Sequence, residues 1–247
     1  MKIIEPDPLL REAADVLARV RDDVVVIGAS AVRVALDGHD VAITPTRDVD
    51  AGTSVAAVDT VVSELERAGL TRSTEPHEEG FTWVRGNLKV QLIRPFHPFP
   101  KGHAARLPVN TTLTALQDHR TAVAFSDDPA TLRLWCADAA ALVALKAHAF
   151  GRTRPGGQPV DRDFSDVVLL LEHTLDDIAR QVAADPSMRR NVLGAATRLA
   201  TDGEATAAAI RELVQAGAYD TPLAAQQACD RATRRAIREL EQASPQA

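Results

Sequence analysis

The chain has 247 residues, enough for one large domain or two small ones with an ample core. Its 45 % hydrophobic and 25 % charged content is that of a globular protein; no apolar run approaches the ~20 residues that span a bilayer, and MKIIEPDPLL lacks a signal-peptide core, so a membrane protein is excluded and a cytoplasmic one expected. A net charge of −6 excludes a global basic field for nucleic acid, so any RNA contact needs a local patch.

In chain order, residues 8–20 read as a first helix, with Pro8 near its start and an apolar stripe of Leu9, Leu10, Ala13, Val16, Leu17 and Val20. Val24–Ile27, four apolar residues in a row, reads as a short buried strand. Gly28-Ala29-Ser30 breaks that run and leads into an amphipathic helix over residues 31–36, ended by Gly38-His39. A small-residue turn between strand and helix lets backbone N–H groups and a hydroxyl approach a phosphate closely. Residues 41–43 and the acidic segment Arg47-Asp48-Val49-Asp50 read as extended, and period two then puts Asp48 and Asp50 on one face with Val49 turned to the core.

Two carboxylates on one strand face need a counter-charge. Held about 4 Å apart at an effective dielectric of ~20, they repel by roughly 4 kcal/mol. A divalent cation between them offsets that cost, and hard oxygen ligands suit Mg²⁺. The alternative is an acidic surface segment beside an ordinary turn.

Further on, residues 54–68 read as a helix capped by Ser54 and stopped by Gly69. Residues 70–73 and 81–85 and Leu88–Ile93 read as strands, with a hairpin turn at Arg85-Gly86-Asn87. Residues 95–108, rich in Pro and His, read as a loop. From about Asp127 the composition shifts to Ala-rich helix: residues 137–150 with Lys146 as their cation, a basic loop at 152–159 holding Arg152 and Arg154, and a helix opened by Asp163 with Asp166 one turn on. The remainder reads as three or four amphipathic helices broken near Pro186, Gly203 and Gly217. Cys136 and Cys229 have no metal or CxxC spacing and are expected as free thiols. The expected fold is α/β (α+β): a mixed-sheet core over residues 1–125, then a helical domain over residues 126–247.

A hydrophobic strand, Gly28-Ala29-Ser30, a helix and Arg47-Asp48-Val49-Asp50 together resemble the nucleotidyltransferase superfamily with the polymerase-β-like core. Lys146, Arg152 and Arg162-Asp163-Phe164-Ser165-Asp166 make the chain most similar to the AbiEii/AbiGii-type members, several of which are toxins of toxin–antitoxin pairs. The resemblance implies Mg²⁺ on Asp48 and Asp50, and an NTP held by Gly28, Ser30, Arg47, Lys146 and Arg152 in a cleft that the helical domain would close. It implies catalytic roles for Asp48, Asp50, Lys146 and Asp163. The NMP acceptor would be a hydroxyl at the 3′ end of a tRNA or on a protein, and a cognate antitoxin is an implied partner. Against the resemblance, Gln91 stands where many relatives have a third carboxylate, and an amide cannot act as a general base. An inactive nucleotide-binding or interaction module, or a small-molecule transferase of the antibiotic-modifying kind, are the competing readings. Lys146 reaching from an apolar helix to solvent, and Asp163 as a helix cap, are the structural alternatives for the second motif. Arginine runs around Arg189, Arg190 and Arg198 and at Arg231, Arg234, Arg235 and Arg238 are the candidate RNA patch, or a solvated face.

Overall fold

The computed structural model describes residues 1–5, 7–43, 46–54, 56–75, 81–93, 118–149 and 162–242. By contact they fall into two units: Met1–Val34 with Pro45–Ala137, and Ala35–Thr44 with Asp138–Ala247.

The first unit is built on an eight-stranded mixed sheet. Its strands are β1 (Lys2–Ile4), β2 (Val24–Ile27), β3 (Val49–Thr53), β4 (Thr71–Arg72), β5 (Thr82–Arg85), β6 (Leu88–Ile93), β7 (Arg120–Phe125) and β8 (Leu134–Ala137). They lie in the order β1-β7-β8-β2-β3-β6-β5-β4. The β1–β7, β8–β2 and β3–β6 pairs are parallel, and the others antiparallel. Every residue of β2 is buried, the expected state of an unbroken apolar run inside a sheet. β7 and β8 are strands that residue pattern does not announce; they pair with each other and place β2 in the interior.

The helices of this unit are α1 (Pro8–Leu17), α2 (Gly28–Leu36) and α3 (Val58–Arg67). Asp7 caps α1, its Oδ1 accepting from the Leu10 N–H at 2.7 Å, with Pro8 at the first position. The helix ends at Leu17 instead of Val20, but Val20 is buried as its place in the apolar stripe demands. α2 opens at Gly28 itself, so the expected turn at Gly28-Ala29-Ser30 is already the first turn of the helix. Residues 41–43 form no strand, and α3 begins at Val58, with Ser54 in the turn ahead of it. Gly69, at φ +85°, stops α3: its N–H reaches Glu66 O and the Leu70 N–H reaches Leu65 O, both at 3.0 Å, while the Leu70 and Leu65 side chains are buried.

The second unit is helical: α4 (Ala139–Ala149), α5 (Arg162–His173), α6 (Leu175–Val182), α7 (Pro186–Thr201), α8 (Gly203–Gln215) and α9 (Pro222–Gln242). The breaks expected near Pro186, Gly203 and Gly217 all fall at helix ends. Asp185 and Asp202 cap α7 and α8, each accepting two backbone N–H groups. Residues 139–145 of α4 are buried all round, which marks a core helix. The turn after α2 belongs to this unit, where the His39 ring lies 5.3 Å from that of His173. The loops expected at 95–108 and 152–159 lie outside the described residues. Among the described residues no helix is long and apolar enough to cross a membrane.

Candidate nucleotide and metal site

β2 and β3 run antiparallel with Ile27 opposite Asp50, which brings the end of β2 and the start of α2 beside the acidic segment. Gly28 takes φ +68°, a conformation that costs an L-residue roughly 1–2 kcal/mol. A Cβ at this position would sit 2.0 Å from Asp50 Oδ2 and 2.9 Å from its Cγ. Gly28 is therefore required twice, for its backbone angle and for the Asp50 carboxylate resting against it.

Burial along the acidic segment alternates as period two predicts. Val49 is fully buried, while Asp48 and Asp50 are half-exposed. Asp48 lies one residue before β3, and its position is set by hydroxyls in place of a ladder. Ser30, on the first turn of α2 and buried, donates to the Asp48 carbonyl oxygen at 3.1 Å. Thr46 donates to Asp48 Oδ1 at 2.6 Å, within reach of the Asp48 backbone O and N at 3.2 and 3.4 Å. Sequence reading passed over Thr46. Its signal was present in Thr-x-Asp, since a hydroxyl two residues away commonly bonds back to a neighbouring polar group.

Two half-exposed carboxylates, one of them accepting from a neutral hydroxyl, suit a small hard cation. Mg²⁺ is commonly bound by one or two carboxylates, with water and substrate oxygens completing its shell. Among the described residues no group of three or more His, Cys, Asp or Glu side chains is arranged to hold a metal. Among the described residues, a cation here would rest on the pair.

Gln91 is the cross-strand neighbour of Asp50 in β6, and Thr82 of β5 is the neighbour of Gln91 in turn. The position beside the acid pair is therefore held by an amide. The Thr82 hydroxyl is buried, with no hydrogen-bond partner among the described residues. Arg47 is exposed, and Arg152 lies outside the described residues.

In the helical unit the second motif closes on itself. Lys146 Nζ lies 3.1 Å from Asp163 Oδ1 and 2.6 Å from Asp166 Oδ2, and all three residues are at most 7 % exposed. Burial works against the ammonium, but the Asp166 and Asp163 carboxylates outweigh it and hold the Lys146 pKa above the ordinary lysine value. Lys146 does not reach to solvent. Asp163 is in the first turn of α5, not at its cap, and points its carboxylate at the lysine.

The arginines of α9 are largely paired: Arg231 with Glu172, Arg234 with Asp230, and Arg235 with both Asp176 and Glu239. Two of these pairs tie α9 to α5 and α6, and three of the four arginines that read as a basic stripe meet carboxylates in place.

No family model matches the chain, and no curated protein matches it. Among solved structures it is similar to one titled the crystal structure of JHP933 from Helicobacter pylori, with a TM-score of 0.47 and 9 % identity over 96 % of each chain. A likeness at that level carries no argument about function. The class that the fold itself defines is a mixed α/β chain, an eight-stranded mixed sheet with a helical C-terminal part.

Proposed function

We propose that the chain is a Mg²⁺-dependent nucleotidyltransferase that moves an NMP from an NTP to an acceptor hydroxyl. What carries the reading is the convergence at the β2–α2 junction: Asp50 packed on Gly28, and Asp48 fastened to the same helix start through Ser30. Short backbone at a helix N-terminus accommodates a polyphosphate, because the first N–H groups of a helix have no partner within it. Asp48 and Asp50 would hold the cation, which when bound supplies charge neutralisation on the triphosphate and the leaving pyrophosphate. The Ser30 hydroxyl fixes the spacing between the phosphate-binding turn and the acid pair.

Lys146 has given two of its three N–H donors to Asp163 and Asp166. A part for Lys146 and Asp163 in the reaction rests on the sequence resemblance alone. Gln91 cannot take the acceptor's proton, and that proton passes either to another carboxylate or to a phosphate oxygen of the substrate. A tRNA 3′ end or a protein hydroxyl is the acceptor the sequence resemblance favours, with a toxin's cognate antitoxin as partner and the cytoplasm as its place.

The test is Mg²⁺-dependent binding and transfer from each labelled NTP, with total RNA and protein as acceptors, by the wild type and by Asp48→Ala/Asp50→Ala. Transfer by the wild type and none by the double variant is expected; equal transfer by both removes the assignment. A second reading, a nucleotide-binding module without turnover, is favoured by Gln91 beside Asp50. It predicts Mg²⁺-dependent NTP binding with no incorporation into any acceptor.

A further inference from the structure

Asp48 differs from Asp50 in how it is held. Asp50 lies in a strand, flanked in register by Ile27 and Gln91. Asp48 precedes the strand, and without added support its half-exposed carboxylate would sample several rotamers. Two hydroxyls supply that support. Ser30 fixes the backbone through the Asp48 carbonyl, whereas Thr46 fixes the side chain, at 2.6 Å from Oδ1. A threonine has one hydroxyl proton, and the shorter of its two contacts, that to Oδ1 rather than to the backbone oxygen at 3.2 Å, is the one it serves. Thr46 is β-branched and stiff at χ1, so it holds the carboxylate in one orientation at little further entropy cost.

We infer that Thr46 is a positioning residue for Asp48: its hydroxyl occupies one carboxylate oxygen and presents the other, Oδ2, to a divalent cation. The inference rests on the metal-binding reading of Asp48 and Asp50 and adds to it a third residue that touches no substrate. Losing a hydrogen-bonding partner of a metal ligand commonly weakens metal affinity about 10- to 100-fold, and an effect of that size is expected here.

The experiment titrates the full chain with Mn²⁺ and counts the free ion by electron paramagnetic resonance, without nucleotide, so that the readout does not depend on turnover. Asp48→Asn, Thr46→Val, Thr46→Ala and Thr46→Ser are compared with the wild type, each checked by thermal melting; the alanine variant stands in if the valine variant misfolds. Thr46→Val and Thr46→Ala are expected to weaken Mn²⁺ binding and Thr46→Ser to restore it, because serine keeps the hydroxyl. If Asp48→Asn weakens binding while Thr46→Val and Thr46→Ala bind like the wild type, the positioning role is overturned and the metal site stands. The role is also overturned if Thr46→Ser binds as poorly as Thr46→Ala, since the hydroxyl is then not what matters. If Asp48→Asn itself leaves Mn²⁺ binding unchanged, the metal reading fails, and the inference falls with it.

Discussion

Two pairs of aspartates, each on one face of its element, reach opposite solutions to the same electrostatic problem. Asp163 and Asp166, one helical turn apart on α5, are buried with Lys146 between them, so a cation built into the chain balances their charge. Asp48 and Asp50, two residues apart beside and within β3, stay half-exposed, and the donors fixed on Asp48 are the uncharged hydroxyls of Thr46 and Ser30. The first arrangement is complete as it stands. In the second, the partner of the Asp48 carboxylate among the described residues is a neutral hydroxyl, which is why the functional proposal is placed on the strand and not on the helix. Two acids at short spacing are therefore not by themselves a metal site; what decides is whether the fold also supplies the counter-charge.

Removing Lys146 gives the largest contrast. Lys146→Met leaves two buried carboxylates without their cation, and breaking a buried ion pair from one side costs about 3–5 kcal/mol. Urea denaturation is expected to show a loss of that order; a change below about 1 kcal/mol would mean that the triad is hydrated and that the contrast between the two pairs is false. A smaller effect is expected on the strand side. Gly28→Ala must adopt φ +68° and displace the Asp50 carboxylate, for a loss of roughly 1–2 kcal/mol together with weakened divalent-ion binding. If stability falls while ion binding stays at the wild-type level, Asp50 is not held in place for the ion.

The weakest contrast lies within α5. Its first turn faces the Lys146 ammonium, whereas His173 in its last turn is held toward the neutral form by burial, with the neighbouring His39 acting in the same sense and Glu172 opposing. A histidine whose folded pKa is lowered contributes stability above its unfolded value, about 6.5, that is lost as pH falls through the folded value. The wild type is thus expected to lose a little stability on acidification below about pH 6.5. His173→Gln should flatten that part of the profile; an unchanged profile would assign the effect elsewhere.

Much of this was legible in the residues themselves. Val24–Ile27 announces a buried strand because four apolar residues in a row can be satisfied only inside a sheet, and the alternation about Val49 fixes which way Asp48 and Asp50 face. Gly69 and the Asp-Pro pair at Asp185-Pro186 mark helix ends through local backbone chemistry that needs no partner. β7 and β8 were not legible. Leu134–Ala137 is short and stands before a run of alanines, and only its pairing with β7 and β2 makes it a strand.

The sequence by itself determined the buried strand at β2, the helix breaks near Pro186, Gly203 and Gly217 and the facing of the acid pair, because these follow from periodicity and from backbone chemistry within a few residues. Only the tertiary structure decided that Lys146 closes on two aspartates, that Arg231, Arg234 and Arg235 of α9 are spent on Glu172, Asp176, Asp230 and Glu239, and that Gln91 stands beside Asp50. Many of these partners lie on other elements, and whether a charge is matched or left open depends on which groups the packing brings within a few ångströms.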